Sequence, residues 1–208
     1  MPEAEPPLVS FTAMKEGTRE DFLLLRELEH PFVAATADRV LAVLEAQAHE
    51  SLAGYRVSRF EHAVQSATRA WRDGADIDWV VAALLHDIGD GLAPFNHDAM
   101  AAAVLRPYLR EQVSWCVEHH GLFQMVYYAH HYGWDPAARE AHRASAYFDD
   151  CAEFCERWDQ ASFDPAYPSL PLAHFAPMVR EVFARPPWVA EVLQPGVRLP
   201  LVNRAAAR

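Results

Sequence analysis

The chain has 208 residues, 51% of them apolar and 23% charged. That is enough for about one domain with a sizeable core, since a chain this long hides roughly 70% of its extended surface on folding. The formal charge of −11 and the single lysine, Lys15, argue against nucleic acid or an anionic membrane as partner. The longest apolar run, Trp79 to Leu85, is too short to span a bilayer.

The start, MPEAEPP, has no basic stretch followed by an apolar one, so no secretory signal is expected. Thr18-x-x-Asp21 forms a capping box ahead of Phe22, Leu23, Leu25 and Leu28, whose spacing paints one apolar helical face. Pro31 is expected to break or kink that helix, with Phe32 to Ala48 forming the next. This region is expected either to shield a pocket or to form a homodimer interface. Ser58-x-x-Glu61 opens a helix over about 59–72 that Asp73-Gly74 closes. A third helix is predicted from about Asp78 to Ile88, stopping at Gly89.

Beyond the loop from Asp90 to Phe95, Asn96 is the expected cap of a short helix. A helix over Glu111 to His120 is expected to end at Gly121, followed by the aromatic segment from Leu122 to Trp134. Phe148 to Gln160 is amphipathic, and a last helix is predicted over about 172–183. Asp149 and Asp150 suit the N-terminal end of a helix. No alternating strand pattern, repeat or low-complexity block is present. The chain therefore reads as one all-α helical domain over 18–184, with an N-terminal extension over 1–17 and a proline-rich tail over 185–208.

The three cysteines, Cys116, Cys151 and Cys155, are an odd count that makes no disulfide framework. They read as small apolar core residues in a reducing cytoplasm.

Eleven histidines give the chemistry its starting point. His86-Asp87 ends the most apolar helix, where an ionised aspartate costs several kcal/mol unless a cation or a salt bridge meets it. Imidazole and carboxylate together make a good divalent metal site. Two helices joined by a short turn pack antiparallel, which brings His62, early in one helix, near His86 and Asp87 at the end of the next. The same reasoning brings His97 toward His120. Of the adjacent pair His119 and His120, about 100° apart on a helix, His120 has the better spacing. Asp159 lies late in the Phe148 helix.

The ordered set His62, His86-Asp87, His97, His120, Asp159 resembles the HD-domain superfamily of metalloenzymes, over about residues 58–160. The two histidines between the HD pair and the last aspartate resemble its dinuclear branch. By that resemblance His62, His86 and Asp159 bind one metal, His97 and His120 the second, and Asp87 bridges them. The intervals, 24 residues from His62 to His86 and 23 from His97 to His120, are similar to those of the mixed-valent diiron oxygenases. That group includes myo-inositol oxygenase and phosphonate-cleaving enzymes. The resemblance implies an Fe(II)/Fe(III) pair, dioxygen and a small polar substrate oxidised at a C–H bond; Mn, Co or Zn also suit the ligands.

The sequence differs from the phosphonate enzymes at three places. Asp90 stands where they carry a further histidine, Gln124 where they favour lysine, and Tyr55 lacks the Tyr-x-x-Glu context. With Tyr128 and Arg157, these three form the expected substrate contacts. Two other classes stay open: a metal-dependent phosphohydrolase acting on a phosphate ester or nucleotide, and a non-catalytic ligand-sensing module.

Overall fold

The structure, a computed structural model, describes residues 7–49 and 53–203. The first six residues of the N-terminal extension and the last five of the tail lie outside this range. The protein is all-α, and no strand occurs among the described residues. None of its helices is long and apolar enough to cross a membrane.

The two capping boxes set the two entry points. Thr18 accepts from Asp21 N and opens α1, Arg19–Ala34. Ser58 accepts from Glu61 N and opens α3, Arg59–Arg72. Pro31 does not stop α1, which continues to Ala34 before α2 begins, Thr36–Ala46. The proline removes one N–H and crowds the carbonyl of Glu27, and that turn is exposed, which leaves the carbonyl open to solvent.

The centre is α4, Ile77–Leu85, in which every residue from Asp78 onward is buried. Asp76 caps it by accepting from Asp78 N and Trp79 N. The helix ends three residues earlier than its apolar pattern predicts, so His86 and Asp87 lie in the turn that follows. Gly89 is required there by proximity. A Cβ on it would fall 2.7 Å from the carbonyl oxygen of His97, at the start of α5, His97–Leu105.

The second large departure is α6, Glu111–Tyr128, which runs through Gly121 instead of stopping. Gly121 serves packing: a Cβ here would lie 3.1 Å from Asp98 Oδ2 on α5. The aromatic segment is therefore largely the last turns of α6 and the 3-10 turn Ala129–Tyr132. α7, Phe148–Phe154, passes into a π-helical turn, Cys155–Asp159, where Gln160 N donates to Cys155 O at 3.0 Å.

α8, Leu172–Phe183, covers α2 and α4, and a short α9, Ala190–Leu193, follows. The segment after α8 is held against the core. Arg198 pairs with the buried Asp150, Gln112 bonds both backbone groups of Leu199, and Leu201 is buried. Asp150 thus anchors the tail in addition to lying at a helix start. The three thiols are free and buried, as expected of core cysteines.

Candidate metal centre

Three helices and two turns bring six side chains to one point. α3 supplies His62, the turn after α4 supplies His86 and Asp87, α5 supplies His97, α6 supplies His120 and the π-helical turn supplies Asp159. All except His97 are buried; His97 is 25% exposed at its side chain.

The distances sort them into two sets. His62 Nε2 lies 3.1 Å from His86 Nε2, and these atoms lie 3.3 and 3.5 Å from Asp159 Oδ1. Asp87 Oδ2 faces that set, at 3.5 Å from His62 and 3.6 Å from His86. Its other oxygen, Oδ1, faces away toward His120 Nε2 at 3.1 Å and His97 Nε2 at 3.3 Å. Two groups of three are tight enough to hold an ion: His62, His86 and Asp159, and His86, Asp87 and His120. His97 joins the second through Asp87 Oδ1. His119 is turned away, with Nδ1 against Trp115 O and its ring stacked on Trp115.

The tautomers fit a metal. In three of the four imidazoles Nδ1 is within hydrogen-bond distance of a backbone carbonyl: Ser162 for His62, Ala83 for His86, Val117 for His120. An Nδ1–H donated to a carbonyl leaves the Nε2 lone pair as the free acceptor. Nε2 lone pairs 3.1 Å apart repel unless a cation lies between them. Asp159 Oδ2 is buried without a hydrogen-bond partner, a further donor atom that lacks a positive group.

The electrostatics follow from the same crowding. Burial alone would lower the pKa of His62, but the hydrogen bond and charge of Asp159, then the charge of Asp87, raise it. His86 and His120 are raised against burial by the same two carboxylates. Burial would raise Asp87 and Asp159, yet the surrounding imidazoles hold both well below the carboxylate range. Protons on the imidazoles therefore compete with metal for one place. In protein stripped with chelator, the raised histidines stabilise below their ordinary 6.5 and lose that contribution as pH rises through their folded values. The depressed aspartates stabilise above 3.8 and lose it in acid. Thermal melts of chelated protein should peak between about pH 4 and 6.5, and added metal should move the optimum upward. A metal-free midpoint that climbs steadily from pH 6 to 9 would contradict this arrangement.

Residues 59–160 match the HD domain family. HD domains are generally those of metal-dependent hydrolases, and the His/Asp groupings here are compatible with a divalent metal site. No curated protein matched the chain.

The matched region opens into a cavity of about 730 Å³ whose lining includes Asp87, His97, His120 and Asp159. Tyr55, Gln124 and Tyr128 line it, together with Tyr127, Tyr132 and Trp134. Two expected contacts are placed elsewhere. Arg157 is held by Glu153 and Asp73 on the outer side of the π-helical turn and does not line the cavity. Asp90 is not among the lining residues either, because it is drawn to Arg59 and His97. Arg69 and Arg106 also have other occupations, with Ala161 O and Glu118 respectively.

Sequence reasoning missed several contributors. Arg59 reaches Asp87 Oδ2 at 3.3 Å, and its position one turn before His62 on α3 was a usable signal. Phe163 stacks on His62 at 4.4 Å and on Tyr55 at 5.7 Å. The buried Gln47 donates to Asp87 O at 3.0 Å across 40 residues, a contact with no local signature.

Proposed function

We propose that this chain is a dinuclear metal enzyme of the mixed-valent diiron type, using dioxygen to oxidise a C–H bond of a small polar substrate. The observation that carries the reading is the division of Asp87, one oxygen toward His62 and His86, the other toward His97 and His120. A carboxylate so divided is suited to bridge two ions. Imidazole and carboxylate ligands accommodate iron, and the iron pair would supply the dioxygen chemistry.

The chain's own residues would bind the ions and the substrate. His62, His86 and Asp159 would hold one ion, His97 and His120 the other, with Asp87 between. Tyr127, Tyr128, Tyr132 and Trp134, all partly exposed, give the cavity an aromatic wall against which a substrate would pack. Tyr55, itself stacked on Phe163, forms part of the opposite wall beside the first histidine.

A phosphohydrolase is the second reading, favoured by one observation. Arg56 lines the cavity, and a guanidinium there suits a phosphate oxygen. Metal analysis of protein purified without chelator separates the two. Two irons per chain and substrate-dependent dioxygen uptake across a panel of small polar compounds support the oxygenase. Manganese, cobalt or zinc with turnover of phosphate esters, and no oxygen uptake, supports the hydrolase and overturns the first reading.

A further inference from the structure

The four site histidines are not held alike. Three direct Nδ1 at a backbone carbonyl, at 2.7 to 3.0 Å. The fourth, His97, has no hydrogen-bond partner on Nδ1 among the described residues. Its Nδ1 lies 3.4 Å from Asp90 Oδ1, a side chain. Asp90 in turn is held by Arg59, whose Nε is 2.5 Å from Asp90 Oδ2. The same guanidinium reaches Asp87 Oδ2 through Nη1 at 3.3 Å. Arg59 thus ties together the shared carboxylate and the carboxylate behind His97.

We infer that Asp90 and Arg59 are positioning residues for the second metal site: Asp90 fixes the ring and tautomer of His97, and Arg59 fixes Asp90. The chemistry is that of a carboxylate–histidine–metal arrangement, in which a carboxylate accepts Nδ1–H, leaves Nε2 free and strengthens the imidazole as a donor. His97 needs this more than its partners do. It is the first residue of α5, partly exposed, and close packing against Gly89 fixes its backbone but not its ring. A negative Asp90 beside Asp87 would be repelled without a cation, and Arg59 is the cation in contact with both.

This rests on the dinuclear reading above, and the test separates the two. Cobalt(II) is titrated into metal-stripped wild type, Asp90→Ala, Asp90→Asn and Arg59→Gln, followed by calorimetry and by the visible absorption of bound cobalt. Wild type is expected to take up two ions. Asp90→Ala should weaken the second ion about ten- to a hundredfold and leave the first unchanged. Asp90→Asn, which keeps an oxygen for His97, should lose less than Asp90→Ala. Arg59→Gln should weaken the second ion more than the first, with the second set of absorption bands altered. A single ion in wild type overturns both the dinuclear reading and this one. Two ions in wild type and unchanged second-site affinity in Asp90→Ala overturn this inference alone. Equal weakening of both ions, with a lower melting midpoint of the stripped protein, assigns Asp90 a general structural role and likewise overturns it.

Discussion

Replacing Asp87 with alanine should abolish binding of both metal ions while the helices remain. Asp87 is the one side chain that offers an oxygen to each histidine set, so its loss takes a ligand from both at once. The first set keeps His62, His86 and Asp159, but two buried imidazoles lose one of their two counter-charges. The second set is left with two histidines and no carboxylate oxygen. Removing one partner from a buried charge cluster generally costs about 3–5 kcal/mol, so some loss of stability accompanies the metal loss. Asp87→Asn distinguishes the two effects. It preserves shape and one neutral oxygen, and should retain weak binding at the first set while losing the second. Metal content by elemental analysis, with helical circular dichroism as the control for folding, reads both variants. Two ions per chain in Asp87→Ala would remove the bridge from the assignment.

The largest effect on stability is expected at Trp158. This indole is fully buried, packs edge-on against Phe154 and Trp79, and donates Nε1–H to Asp73 Oδ2 at 3.0 Å. Trp158→Ala should cost about 3–5 kcal/mol through lost burial and the remaining cavity. At about 2–4 °C per kcal/mol for a chain of this size, the thermal midpoint should fall by roughly 6–20 °C. Trp158→Phe keeps most of the volume and gives up the hydrogen bond, worth about 1 kcal/mol. Because Trp158 immediately precedes Asp159, the alanine variant should also weaken metal at the first set. A midpoint within about 2 °C of wild type for Trp158→Ala would show that the core closes over the gap.

Much of this was legible in the sequence because the relevant signals are local. The two capping boxes depend on residues three apart, and the helices they open start where those boxes place them. The metal-type residues were identifiable because antiparallel helix pairs convert spacing along the chain into proximity. What could not be read was set by tertiary packing. Gly121 carries the mark of a helix end, yet α6 passes through it, and a Cβ there would crowd the Asp98 carboxylate of α5 at 3.1 Å. Asp90 and Arg157 are charged residues near the motif, and charge alone does not say which partner wins. Arg59 captures one, and Glu153 with Asp73 captures the other. Gln47 reaches Asp87 from the turn just after α2, and no pattern in its neighbours marks it.

The wide turn between Cys155 and Asp159 has a consequence for how length can vary in this part of the chain. An α-helix advances about 100° per residue, and the π-helical turn spends one residue more than an α-turn to come round. Phe154 and Trp158 therefore both reach the core while Asp159, the next residue, still meets the histidines. Winding the same residues as an ordinary α-helix would swing the carboxylate about a quarter-turn away from His62 and His86, whereas the surface loop at Pro165 to Ser169 faces no such phase requirement. Insertions and deletions should therefore be tolerated unequally across less than fifteen residues, and the boundary between the two behaviours marks where the helix stops being a support and becomes a ruler.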